Sequence, residues 1–306
     1  MTEPSLPRVA ILLLNYNGLS LTEDCVRSLL AIDYPCARVL VIDNGSTRDE
    51  SVALEAEFGD AIDVRRSEAA LGFCAGNNLG MRMTLDQGFD YALLLNNDTT
   101  VEPDFLSRLV KRMETDRSIG AVGPKIVHFY DRAKLDSIGG KLNLWIARQS
   151  HLRKPYTEVR TDLPFIHGCA MMIRREAMEQ VGMLDESFYA YWEEGDYCMR
   201  LRAEGWRIAC DPSSVIYHKV SQTNRYLSNF YVYYMVRNGL LFMSKHGRWY
   251  QWPSFALCFV VTSIAKYGGY LLMTRPRDTL VVLTAVSDFF RGRLGRKDFA
   301  PRSTGG

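Results

Sequence analysis

The sequence predicts an α/β fold: a doubly wound, mostly parallel sheet followed by a helical extension at the C-terminus. Three observations carry this reading. Short apolar runs of strand length alternate with amphipathic stretches of helical period over residues 9–115. Three of those runs end in clusters of asparagine and aspartate, and in an open α/β sheet that edge is where ligands sit. After His218 the alternation stops and aromatic, helix-length segments take over.

Taken in order, residues 9–14 are apolar throughout and read as a buried strand ending in Asn15, Tyr16, Asn17 and Gly18. A helix follows over 21–31, with Leu21, Val26, Leu29 and Leu30 set against Glu23, Asp24 and Arg27. Residues 39–42 form the second strand, ending in Asp43, Asn44, Gly45, Ser46 and Thr47. A helix over about 49–58 and a strand near 62–65 come next. Gly72 to Asn78 make a glycine-rich connection into a helix that reaches residue 87. The run 91–95, preceded by Gly88, is the fourth strand and stops at Asn96, Asn97 and Asp98. Pro103 opens an amphipathic helix over 104–115, since proline suits the first helical turn.

The second half carries a different pattern. Residues 165–175 read as a strand entered through His167 and Gly168, and 176–181 as a short helix. An apolar turn leads to Tyr191 and Trp192, then to Glu193, Glu194, Gly195 and Asp196. Residues 197–204 read as a helix stopped by Gly205. Residues 207–210 and 214–217 read as two strands, the second ending at His218.

Composition narrows the class. A chain of 306 residues buries a sizeable core, and its net charge of +2 implies no general attraction to nucleic acid. Seven scattered cysteines without a C-x-x-C pair argue for a reducing, cytoplasmic setting and against a zinc or disulfide framework. Residues 1–8 are polar and proline-bearing, which does not read as a secretory signal.

The polar strand ends point to a nucleotide. Asn15, Asp43 and Asp98 fall on one sheet edge, and Gly18, Gly45, Gly72 and Gly76 let backbone approach a ligand. Asp98 can hold a hard cation, Mg2+ or Mn2+, whose other ligands come from water and substrate phosphate. Asp43 can accept hydrogen bonds from a base or ribose. Any one of these clusters alone is ordinary turn chemistry. Neither a G-x-G-x-x-G nor a G-x-x-x-x-G-K-[ST] pattern follows the first strand, against nicotinamide and phosphate-loop enzymes. Three acids in four residues, flanked by aromatics, suit a general base, because crowding and apolar neighbours raise carboxyl pKa values. The plainer reading is acidic residues favoured at a helix N-terminus. His218 reads either as structural or as a further metal ligand.

These residues carry a resemblance. VAILLLNYNG from Val9, VLVIDNGST from Val39, LGFCAGNNLG from Leu71, LLLNNDTTV from Leu93, FYAYWEEGDYCMR from Phe188 and IYH from Ile216 resemble the inverting family 2 glycosyltransferases of GT-A fold, rhamnosyltransferase-like branch. The resemblance implies a GT-A catalytic domain over 1–222, with a nucleotide-binding half over about 1–100 and an acceptor half over about 101–222. The region 223–306 is then a helical appendage. It implies a cation held by Asp98 and His218, with Asn96 at the first position of the metal motif, where an acid is usual. It also implies a nucleotide-sugar pocket from Asn15, Asn17, Asp43, Gly72, Asn77, Asn78 and Asn97. Glu194 matches the general base, flanked by Glu193 and Asp196, and Trp192 an acceptor-side aromatic; His167 is placed with the acceptor. The donor expected is a nucleotide-diphosphate sugar, dTDP-rhamnose or a UDP-sugar, and the acceptor a glycan or a lipid-linked sugar. The rivals are a catalytically silent nucleotide- or glycan-binding module and a nucleotidyltransferase.

The C-terminal region has three readings. Residues 227–245 are aromatic and helical, 255–273 are apolar but interrupted by Lys266, and a helix over 278–290 leads into Arg291, Arg293, Arg296 and Lys297. A membrane surface suits aromatics beside clustered cations. A buried subdomain or homo-oligomer interface suits the apolar residues. A true span is opposed by the charge near its middle.

Overall fold

A computed structural model describes residues 6–220, 229–263 and 276–299. The first half follows the predicted rhythm: β1 Val9–Asn15, α1 Leu19–Leu29, β2 Ala37–Asp43, α2 Ser51–Phe58, β3 Ile62–Arg66, α3 Gly72–Asp86 and β4 Tyr91–Asn96. β5 Thr99–Val101, α4 Phe105–Thr115, β6 Ile119–His128, β7 Leu135–Ser137, β8 Gly140–Asn143 and β9 Arg148–His151 come next. Then follow β10 Ala170–Arg174, α5 Arg175–Val181, α6 Glu193–Ala203 and β11 Arg207–His218. The C-terminal helices are α7 Asn229–His246, α8 Trp252–Ser263 and α9 Pro276–Phe290.

The main sheet runs β3-β2-β1-β4-β10-β6-β11-β5, with β7 paired to β6. Its first four strands are parallel. β10 enters antiparallel to both β4 and β6, while β6 and β11 are parallel. The sheet is therefore mixed and mostly parallel, as the sequence predicted. Register sets the polar ends side by side: Asn15 opposite Asp43, and Leu14 opposite Asn96. The fully buried apolar faces of β1, β2 and β4 explain their unbroken hydrophobic runs.

α3 lies close on β1 through small residues. A methyl group on Gly76 would meet Leu14 Cδ1 at 2.4 Å, and one on Gly80 would meet Leu12 at 3.0 Å. The predicted glycine-rich connection is thus itself the first turns of α3. The structure corrects three other expectations. The strand expected from residue 165 starts at Ala170, because His167, Gly168 and Cys169 turn, with Ala170 N–H donating to the His167 carbonyl. Residues 207–218 are one strand, interrupted by a register shift between Asp211 and Val215 rather than by a loop. The acids at 193–196 form the first turn of α6 instead of a loop before it.

Contacts divide the chain into two compact units. One comprises Met1–Leu142, Gln149–Asp185 and Glu193–Ser221; the other Asn143–Arg148, Glu186–Trp192 and Gln222–Gly306. In the second unit α7 and α9 pack through Tyr233, Tyr234, Val236 and Ala285, and Phe255 of α8 packs with Leu240 and Met243. Residues 264–273 of the predicted apolar segment lie outside the described residues. No helix among the described residues is long and apolar enough to cross a membrane. All seven cysteines are free thiols.

Candidate active site

Polar residues from four strand ends of the first unit form one network. Asn15 donates its amide to Asp43 Oδ1 at 3.3 Å and to Glu50 Oε2 at 2.8 Å, while Ser46 donates to Asp43. Arg66, at the end of β3, caps the other oxygen of Asp43. Thr22 donates to Asn15 Oδ1 at 2.8 Å and receives the Asn97 amide at 2.8 Å. Asn17, with φ +50°, accepts from Thr47 N–H. Asn44 holds the entrance to α3, bonding Leu71 N–H and the Gly72 carbonyl. Asn15, Asn17, Asp43, Gly72 and Asn97 are therefore brought to one edge. Two neighbours face elsewhere. Asn77 bonds the Phe73 carbonyl, and Asn78 clamps Leu184 through both amide atoms.

Beside that edge, His218 Nε2 lies 3.2 Å from Asp98 Oδ1, and its Nδ1 lies 3.0 Å from Asp136 Oδ2. The pairing of β5 with β11 creates this meeting by setting His218 opposite Thr99. Burial works against a charge on His218, but Cys169, Asp136 and Asp98 outweigh it and raise its pKa. Asp136 is pushed the other way: burial raises its carboxyl, and the hydrogen bond from His218 with the nearby imidazoles lowers it further. No group of three His, Cys, Asp or Glu side chains among the described residues is arranged as a complete metal cage. One carboxylate and one imidazole aimed at each other nonetheless fit a cation that draws its remaining ligands from phosphate and water. The Asn96 main chain is used by the fold: its N–H donates to the Cys169 carbonyl, and its carbonyl accepts from Thr99.

The acids stand at the start of α6. Glu193 is 6 % exposed, and Oε2 of both Glu193 and Glu194 is buried without a hydrogen-bond partner. Burial raises both carboxyl pKa values, and for Glu193 the neighbouring Glu194 adds to it. Asp196 is taken up by structure: fully buried, it accepts from Arg200 at 2.8 Å, and Arg200 also ties the Val181 and Met183 carbonyls. Gly195 packs against the Gln149 amide, whose Nε2 is also buried without a partner.

His167, Gly168 and Cys169 join these parts. The His167 ring stacks on His151 at 4.2 Å and meets His218 edge-on at 6.0 Å. Desolvation holds both of the stacked imidazoles low, His151 at about 4. A methyl on Gly168 would touch Glu194 Cβ at 3.4 Å, and the Cys169 carbonyl receives Asn96 N–H. Trp192 belongs to the second unit, where it is 7 % exposed against Phe242. Tyr189, Tyr191 and Trp192 have φ of +63°, +67° and +76°, a left-handed run costly for such side chains. Asn238 holds that run by donating to the Phe188, Ala190 and Tyr191 carbonyls. Sequence reasoning missed Glu50, Arg66, Asp136 and Gln149, none of which stands in a motif.

A family profile described as Glycosyl transferase family 2 matches residues 10–182. Among curated proteins, the low-salt glycan biosynthesis hexosyltransferase Agl10 of Haloferax volcanii is 27 % identical over 252 residues, 76 % of this chain and 74 % of the relative. The N-acetylglucosaminyl-diphospho-decaprenol L-rhamnosyltransferase of Mycobacterium tuberculosis is 26 % identical over 253 residues, 73 % of this chain and 80 % of that one. Among solved structures, a mannosyltransferase from Pyrobaculum calidifontis in complex with GDP-mannose and Mn2+ aligns with TM-score 0.57 at 16 % identity, covering 94 % of this chain and 88 % of the other.

Proposed function

From the premise that the chain belongs to glycosyl transferase family 2 and is a glycosyltransferase, we propose that it is a cation-dependent, inverting enzyme. It moves a sugar, rhamnose in the first instance, from a nucleotide diphosphate to a glycan or lipid-linked acceptor in cell-surface polysaccharide synthesis. The observation that carries this is the tripeptide His167, Gly168, Cys169, in which His167 lies edge-on to the His218 ring of the Asp98–His218 pair and Gly168 stands where an added methyl would reach Glu194. A leaving-group site and a base are thereby adjacent. The rhamnosyl and Mn2+ aspects draw support from the decaprenol rhamnosyltransferase and the Mn2+-bound mannosyltransferase.

In this reading the edge from Asn15 to Asp43 and Asn97 receives the nucleotide, and Asp98 and His218 hold Mg2+ or Mn2+. Bound there, the cation supplies positive charge against the departing diphosphate. Glu194 takes the proton of the attacking hydroxyl, and a single displacement inverts the anomeric centre. A panel of nucleotide sugars assayed with Mn2+ and with chelator tests the proposal. At least one donor is expected to be consumed only with the cation, giving a product of inverted anomeric configuration by NMR; a retained configuration would exclude the single displacement.

The enzyme further works at the inner membrane face. Residues 229–306 hold eleven of the 37 Lys and Arg but three of the 35 Asp and Glu, so a basic segment follows an acidic remainder. Leu257 and Val261 on α8 and Leu280 and Leu283 on α9 are more than half exposed, and Trp249 is 84 % exposed. Full-length protein is expected to co-sediment with anionic vesicles, less so at high salt and less so as Leu257→Glu. A dimer in solution with no vesicle binding at low salt would assign the same face to a second copy.

A further inference from the structure

We propose that Asp136 is a positioning residue that fixes the His218 imidazole for the cation; the inference rests on the cation reading above. Asp136 lies on β7, a three-residue strand held to β6 by pairing of Ile126 with Ser137, and is 6 % exposed. Its Oδ2 takes the Nδ1 side of His218 at 3.0 Å, while Nε2 faces Asp98 at 3.2 Å. A ring held in this way has its Nδ1 proton committed to Asp136 and its Nε2 turned to where the Asp98 carboxylate points, so that loss of the Nε2 proton would leave that nitrogen free for a cation. Carboxylates that bind the far nitrogen of a ligating histidine set its tautomer and orientation and raise its basicity.

Asp136 is itself held in place. Arg153 Nε donates to its carbonyl at 3.0 Å, and Arg153 Nη2 and His128 Nε2 lie 3.6 and 3.8 Å from its Oδ1. With the stacked His151 and His167 alongside, four of the five histidines of the chain gather within this one cluster. A carboxylate this deep is costly unless its charge is used. Here the imidazole nearest its carboxylate is the one that also meets Asp98.

The test is Asp136→Asn, which keeps the size and removes the charge. Mn2+ affinity in the presence of UDP or dTDP, read by electron paramagnetic resonance, is expected to fall ~10–100-fold, the usual scale for a carboxylate behind a ligating histidine. With Mg2+ and nucleotide bound, 15N NMR of the His218 ring is expected to show the Nδ1–H form in the native protein and its loss in the variant. Asp136→Glu, which restores a carboxylate, is expected to recover part of the affinity. Thermal unfolding of the metal-free proteins reports on folding separately, and Asp136→Ser replaces Asp136→Asn if the latter is unfolded. A folded variant with Mn2+ affinity within twofold of native and an unchanged tautomer overturns the inference. Native protein that binds no Mn2+ with either nucleotide overturns the cation reading and this inference with it.

Discussion

Glu194→Gln is expected to bind nucleotide and cation as the native protein does and to turn over at least ~10²-fold more slowly, the scale of a lost general base. The geometry explains the expectation. Glu194 Oε2 is buried without a partner, so no other contact of that oxygen holds the fold together. The pH profile should carry the same signature. Burial holds the Glu194 carboxyl above the ordinary carboxylate range. A base must be ionised to act, so turnover is full above that raised value and falls as pH drops through it. The acid limb of kcat in native enzyme therefore sits above the ~4.3 of an unperturbed glutamate, and it disappears in the variant. Native-like turnover by Glu194→Gln would move the role to Glu193, the only other acid of the triplet not spent on an arginine.

Asp98→Asn and His218→Ala are each expected to abolish the cation-dependent part of nucleotide affinity. Weaker, cation-independent binding at the Asn15–Asp43 edge should survive. Calorimetry with nucleotide and Mg2+, set against nucleotide with chelator, separates the two. Equal affinity under both conditions in native protein, or an unchanged difference in either variant, would dismiss the pair as cation ligands. The imidazole carries a raised pKa in the cation-free state, so a bound cation must displace its proton, and affinity for the cation is expected to rise with pH. His218→Ala also strips the buried Asp136 of its closest side-chain partner, so its unfolding should be followed alongside.

The legible parts of the chain were those where one local signal sufficed. β1, β2 and β4 are buried on both faces, so their apolar runs and the asparagine and aspartate that end them announce strand, edge and site together. β6 was not read: Gly120, Gly123 and Pro124 interrupt it, and its partners lie up to ninety residues away in sequence. β7, β8 and β9 are three or four residues each and largely polar, too short for a periodic signal. Asp211, Pro212 and Ser213 look like a turn in sequence, and only pairing with β6 on both sides shows one bulged strand. In the site, Asp98, Glu194 and His218 stood in motifs. Asp136 and Gln149 acquire meaning only when β7 and β9 are folded back beside His218 and Gly195, which no local pattern foretells.

The insertion of β10 between β4 and β6 has a consequence for the birth of the molecule on the ribosome. β3, β2, β1 and β4 are all complete by residue 96, yet the second edge of β4 is closed only by residues 170–174. At roughly 5–20 residues per second, a nascent chain spends several seconds with that apolar edge unpaired. The Asp98 strand end is made early as well, but its histidine arrives from residue 218, beyond the 10–182 stretch that matches the family. A ribosome that stalls or terminates between those points leaves a half-built sheet: an open edge prone to association, and an Asp98 without its histidine.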